Sequence, residues 1–264
     1  MQQKADFSFV KKLFLIVGLV SHALFAFQPH EVFIVVPGTW AIKAKWYKLG
    51  GNFFSALEQS VAAKGHKALW FRWLSDNYES SRQTAAQEFA HMLCCFEPAT
   101  EINIIAHSHG VNVTLGACQL LAQTESTRKI KALYALAAPI YEEVYSPDMS
   151  VITRLYNLYS FNDSIQTIWG YKRIFTPKPG IINIQIFIDG KEPNHSDIHS
   201  PVVGKWLTNL AQRPCPTPGI VYFYSTKPPE VKNNPDFEKQ LAQDKLIDFQ
   251  SLLYLRKKTK KPQK

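Results

Sequence analysis

Short apolar runs alternating with stretches of helical spacing constrain this chain more than any other feature. Val32-Phe33-Ile34-Val35-Val36 is β-branched, unbroken by a polar residue and closed by Pro37-Gly38. A strand with one wet face alternates apolar and polar residues. A continuous run is buried on both faces, as in a parallel sheet. Ala68 to Leu74, Ile102 to Ala106, Ile130 to Leu136, Tyr156 to Phe161 and Ile181 to Ile188 are the further strand candidates. Gly51 to Ala63, Ser81 to Phe96, Val111 to Ala122 and Val202 to Ala211 read as helices; in the first, Phe54, Leu57 and Val61 recur at helical spacing. Strands joined by helical crossovers predict an α/β domain with a mostly parallel central sheet flanked by helices.

The 264 residues, 46% hydrophobic and 19% charged, can bury a sizeable core, which excludes a disordered chain. No internal repeat is visible, which sets solenoids and propellers aside. Four cysteines in a chain of this length are no disulfide scaffold. Cys94 and Cys95 are adjacent, Cys118 lies in a helical stretch and Cys215 sits between two prolines; free thiols and bridges both stay open.

The net charge of +9 suggests a polyanionic partner until it is located. The last nine residues, Arg256 to Lys264, carry +6 and residues 1–12 carry +2, which leaves +1 on the 243 between. A near-neutral body gives no basic face for nucleic acid. Lys11-Lys12 precede an apolar stretch from Leu13 to Phe27 with small residues at Ala23 and Ala26. A basic start, a short apolar run and small residues describe a signal peptide over 1–26, or the same segment kept as an anchor. An exported protein, periplasmic or secreted, is the expectation. Residues 27–213 then form the α/β domain. Residues 214–264 form an extension, with a proline-rich connector, an edge strand within Gly219 to Tyr224, a helix over 236–255 and the basic tail. That tail is expected either to touch an anionic membrane or to stay solvated.

The run Ile102 to Ala106 leads directly into Ala106-His107-Ser108-His109-Gly110 and a helix. A serine on so tight a strand-to-helix turn needs small residues two places either side. Ala106 and Gly110 meet that need, although the first place is usually glycine. The turn lifts the hydroxyl above the carboxyl end of the sheet and aims the first helical N–H groups at whatever the serine attacks.

At these residues the chain resembles the α/β-hydrolase family, over roughly residues 31–211. Pro37-Gly38-Thr39-Trp40 is similar to the family's His-Gly oxyanion segment, with Pro37 where histidine is common. The resemblance implies Ser108 as nucleophile and backbone N–H groups near Thr39 and of His109 as oxyanion hole. It implies an acid after the second strand beyond the nucleophile, at Asp163, and a histidine after the next, in His195-Ser196-Asp197-Ile198-His199. His195-x-x-Ile198-x-Ser200-x-x-Val203 resembles the corresponding segment of small bacterial lipases. His199 remains an alternative base, and Asp148, Asp189 and Asp197 remain alternative acids. The short segment ahead of Val32 implies that the two strands opening larger members are absent.

A serine hydrolase of carboxylic or lipid esters, with no cofactor and no metal, is the function so implied. Trp40, Trp46, Tyr47, Phe53, Phe54, Trp70, Phe71 and Trp73 could form an acyl pocket or pack the core. The excursion between Leu136 and Tyr156 is too short for a large lid. Tyr141, Tyr145 and Tyr156 are expected at the rim, with Trp40 and Tyr141 as substrate contacts. Two other classes stay open: a metallohydrolase using His107, His109, His195 and His199, and a non-catalytic membrane- or partner-binding protein on the same fold.

Overall fold

Alternation along β1 (Glu31–Val36) sorts the core into two layers. Val32, Ile34 and Val36 pack on one side of the sheet, Phe33 and Val35 on the other. The computed structural model describes residues 30–242 apart from 125, 171, 214 and 217. The other strands are β2 (Lys67–Trp70), β3 (Glu101–His107), β4 (Ala132–Leu136), β5 (Leu155–Tyr159), β6 (Ile181–Ile188), β7 (Gly219–Phe223) and β8 (Glu230–Asn233). Together they form one sheet in the order β2-β1-β3-β4-β5-β6-β7-β8. Every pairing is parallel except β7 with β8. The order reverses at β1, and an open α/β sheet leaves a crevice beyond the carboxyl ends of the strands at such a switch.

Among the described residues the named helices are α1 (Asn52–Ala62), α2 (Glu79–Cys94), α3 (His109–Gln123), α4 (Ile165–Trp169) and α5 (Pro201–Trp206). α2 packs on α3 over one face. α1 packs on α5 and the 3-10 segment Leu207–Gln212 over the other. α1 and α5 approach so closely that a Cβ at Gly204 would lie 2.6 Å from the carbonyl oxygen of Phe53.

The expected mostly parallel, helix-flanked sheet is present, with four local differences. The strand expected to Leu74 ends at Trp70; Phe71 and Trp73 stay buried as the chain leaves the sheet edge, and the Trp73 indole N–H donates to the Pro37 carbonyl at 2.8 Å. The stretch read as one helix to Ala211 is α5 followed by a 3-10 segment. The proline-rich connector contributes two strands: β7 lies inside the sheet, parallel to β6, and β8 is the edge. α4 is too short for any periodicity to reveal it.

A helical turn begins at residue 237. Phe237 packs with Tyr159 and Ile174. The rest of the 236–255 helix, the basic tail and the 1–26 leader lie outside the described residues. No helix among the described residues is long and apolar enough to cross a membrane. All four cysteines are free, with Cys118 buried and Cys94 and Cys95 exposed.

Gly204→Ala tests the α1–α5 contact. Forcing a methyl against the Phe53 carbonyl is an overpacking change worth about 1–3 kcal/mol. The thermal midpoint is expected to fall by several degrees; an unchanged midpoint would show that the helices part without cost.

Candidate active site

Ser108 closes β3 and caps α3 with φ 53° and ψ −134°. A non-glycine residue there is held against its own preference, and such strain persists only where the surroundings over-determine it. Two glycines make room. A Cβ at Gly38 would sit 2.7 Å from the Ser108 Cβ, and one at Gly110 would sit 2.6 Å from the carbonyl oxygens of both Val36 and Pro37. The Ser108 N–H donates to the Leu136 carbonyl at 2.9 Å, continuing the β3–β4 ladder beyond the strand.

Other unusual backbone conformations gather at the same edge. Trp40, after β1, has φ 57°, and its N–H donates to the Ser75 carbonyl; Ser75 itself has φ 53° and Ala137, after β4, has φ 52°. Thr39 and His109, the expected oxyanion donors, flank Ser108 in one cleft. The His109 backbone N–H belongs to the first turn of α3, where no intrahelical acceptor exists.

Asp163 and His195 meet. The His195 Nδ1–H donates to Asp163 Oδ2 at 2.8 Å, with side-chain exposures of 18% for the histidine and 1% for the acid. The carboxylate is thus withdrawn from water while the imidazole faces the cleft. Asp163 Oδ1 accepts the backbone N–H groups of Ile165 at 2.9 Å and Gln166 at 3.4 Å, so it also caps α4. Arg173 donates to the Asp163 backbone carbonyl at 3.2 Å.

The alternatives have other partners. Asp148 accepts from Ser150 and Asp189 from Ser225, and Asp197 is exposed in a 3-10 turn. The His199 ring stacks on Trp46, with centroids 4.2 Å apart and planes 5° from parallel. The four histidines of the metal reading form no ligand cage: the His107 ring packs tilted against His195 and edge on against His199, and the described residues hold no group of three or more ligating side chains able to hold a metal ion.

The cleft spans about 460 Å³ and is lined by Thr39, Trp40, Trp46, Ser108, His195 and Trp169, among others. Of the aromatic set, only Trp40 and Trp46 reach it; Tyr47, Phe53, Phe54, Phe71 and Trp73 are core. Trp40, 68% exposed, meets Trp169 edge to face at the mouth.

The rim tyrosines need correction. Tyr141 does not line the cleft. Tyr145 is buried and donates its hydroxyl to Glu79. Tyr156 is buried near the amino end of β5, stacked on Tyr134, because residues opening a strand lie at the edge opposite the cleft. The sequence reading missed Ile165, Trp169, Asn77 and Ser196, which also line the cleft. Asp163-Ser164, a helix-start pair, was the one local signal for the α4 residues.

Buried histidines surround the serine. Burial, with the nearby Arg82 charge, takes His109 down to about 4, and burial, with His195 nearby, takes His199 down to about 4. Burial also holds His107 well below the ordinary histidine value. Asn112 donates to His109 Nδ1 at 3.1 Å, and the His109 Nε2 has no hydrogen-bond partner among the described residues. These neutral histidines bind fewer protons folded than unfolded between pH 6.5 and about 4. Their contribution to stability is complete above that window and is lost as pH falls through it. Below about 4.5 the depressed Glu31, Glu79 and Glu142 act in the same direction. The thermal midpoint is therefore expected to drop steadily between pH 7 and pH 4; a flat profile in calorimetry would contradict burial of neutral imidazoles.

No family model and no curated protein matches the sequence. Solved structures do. A serine hydrolase without a lid from Xanthomonas campestris matches with 12% identity and a TM-score of 0.45, over 71% of this chain and 84% of that one. Alpha/beta hydrolase domain-containing protein 10 from mouse matches with 15% identity and a TM-score of 0.43, over 69% and 89%. A Trichoderma reesei cutinase matches with 17% identity and a TM-score of 0.33, over 50% and 66%. The fold itself is legible in this molecule's own geometry. A mostly parallel sheet reverses at β1, a serine occupies a strained turn after β3, and acid and histidine follow in order after β5 and β6. The chain has the α/β-hydrolase fold.

Proposed function

We propose that this protein is a serine hydrolase of uncharged carboxylic esters, with Ser108 as nucleophile, His195 as general base and Asp163 as its orienting acid. The observation that carries the reading is the 2.8 Å bond from His195 to a desolvated Asp163 beside the strained Ser108. A hydroxyl is a weak nucleophile near neutral pH and needs an adjacent base. With Nδ1–H committed to Asp163, the His195 Nε2 carries the lone pair that takes the Ser108 proton.

The serine oxygen then bonds to the ester carbonyl carbon, and the π electrons move to the carbonyl oxygen. Backbone N–H groups of Thr39 and His109 stabilise that oxyanion; one such donor is worth about 3–4 kcal/mol in related chemistry. Collapse breaks the bond to the alkoxy group, which leaves with the proton held by His195. Water, activated by the same imidazole, releases the acid and restores the serine.

No Asp, Glu, Lys or Arg among the described residues lines the cleft. A charged acyl or alcohol group would lose its hydration there without a partner, which favours neutral esters. The Trp40–Trp169 pair suits an apolar acyl chain, including that of a lipid ester. The Lys11-Lys12 start and the apolar run after it support export as part of the same reading.

Ser108→Ala is expected to lower turnover of a p-nitrophenyl acyl ester by about 10⁴- to 10⁶-fold with the thermal midpoint retained. Asp163→Asn, which favours the wrong imidazole tautomer, is expected to cost about 10⁴-fold. A fluorophosphonate should label the wild type at Ser108, as mapped by mass spectrometry. Unlabelled wild type, or turnover that survives Ser108→Ala, would overturn the reading, and turnover abolished by a chelator would favour a metal-dependent enzyme.

A further inference from the structure

His107 stands next to the nucleophile, yet the mechanism above gives it no task. Its ring is buried and boxed in: 4.7 Å from the His195 ring, 4.8 Å from His199 and 5.4 Å from Trp46, the latter two edge on. The Trp46–His199 stack forms one wall of this box. The His107 Nε2–H donates to the backbone carbonyl of His195 at 2.9 Å.

The base sits on the loop after β6, and that loop is tied down carbonyl by carbonyl. Asn162 donates to the Glu192 carbonyl at 3.2 Å and the Ser160 hydroxyl to the Pro193 carbonyl at 2.7 Å. Asn194 Oδ1 accepts the backbone N–H groups of Ser196 at 2.9 Å and Asp197 at 3.0 Å, closing the turn around His195. Those ties run within the loop or to the segment after β5, which also carries Asp163. Only the His107 bond, among these, reaches back to β3 and so to the serine.

We propose that His107 is a positioning residue for the base, its Nε2–H joining the backbone that carries His195 to the residue adjacent to Ser108. The path from nucleophile to base then runs through one peptide bond, one clamped ring and one hydrogen bond. The Asp163 bond alone fixes which way the His195 ring faces but leaves its distance from β3 to the loop. Burial keeps His107 neutral, so it adds no positive charge against the imidazolium that forms on His195 during turnover. The proposal rests on the serine-hydrolase reading above.

The test compares His107→Phe, which keeps a flat ring without the donor, with His107→Gln, whose terminal amide reaches a similar point, and His107→Asn, which falls short. Losing the tie should let the base drift by a fraction of an ångström to an ångström, worth about 10- to 100-fold. In His107→Phe, kcat for the p-nitrophenyl ester and the fluorophosphonate labelling rate should both fall by that factor, with KM within about twofold of wild type. His107→Gln should recover most of the loss and His107→Asn little of it. A purely structural role would lower the thermal midpoint without this kcat-against-KM split or the rescue. Wild-type rates in His107→Phe, or equal rates in the Gln and Asn variants, overturn the proposal; if the Phe variant does not fold, the Gln–Asn pair decides. Wild type that resists labelling removes the serine-hydrolase reading and the proposal with it, whereas labelled wild type beside an equally reactive His107→Phe removes the proposal alone.

Discussion

Backbone meets backbone where the end of β1 passes the turn after β3, and the arrangement of the cleft depends on that contact. Gly38 lies against Ser108 and Gly110 against the carbonyls of Val36 and Pro37, at separations no Cβ could enter. The approach lets the segment bearing Thr39 share one cleft with the serine. It also helps hold Ser108 at a positive φ, a conformation costing on the order of 1–3 kcal/mol. The bracing extends outward: the Trp73 indole donates to the Pro37 carbonyl, and the Trp40 N–H to that of Ser75. Residues that are core by burial thereby act on the site by fixing its loops.

A second constraint runs through one carboxylate. Asp163 orients His195 with one oxygen and caps α4 with the other. Because α4 carries Ile165 and Trp169 to the cleft wall, the carboxylate that holds His195 also fixes part of that wall. Ser160 and Asn162, on the same segment, anchor the loop that brings His195 in. Asp163, the His195 loop and the cleft wall are therefore one hydrogen-bonded unit. Beside it His107, His109 and His199 stay neutral because burial penalises their charged forms, and no described Asp, Glu, Lys or Arg lines the cleft.

Legibility in the sequence followed the range of the interactions. The turn at Ser108 is local: a β-branched run, small residues two places either side and a helix after it say what the backbone must do. Ile181 to Ile188 is found at its expected bounds because six of its eight residues are isoleucine or phenylalanine, which leaves little choice. Asp163 was reached through the order of elements in a resemblance, since nothing in Asn162-Asp163-Ser164 distinguishes a partner of a distant histidine from a helix cap, and its carboxylate bonds to both. Tyr156 was misread because it was counted with the excursion ahead of β5, whereas it lies at the amino end of the strand, away from the cleft. β7 was expected as an edge strand and β8 was read as connector, because proline and turn residues mask a short strand whose stability comes from pairing with β7.

The sequence by itself determined the layered α/β architecture, the strained turn at Ser108 and the near-neutral body, because these depend on side-chain periodicity, residue size and composition. Only the tertiary structure paired Asp163 with His195, stacked His199 on Trp46, placed most of the aromatics in the core and joined His107 to the His195 carbonyl. Each of those outcomes is set by contacts between residues tens of positions apart, Asp163 with His195 or His107 with the His195 carbonyl. Such contacts form only when the sheet order and helix packing bring the carboxyl ends of β1, β3, β5 and β6 to one edge.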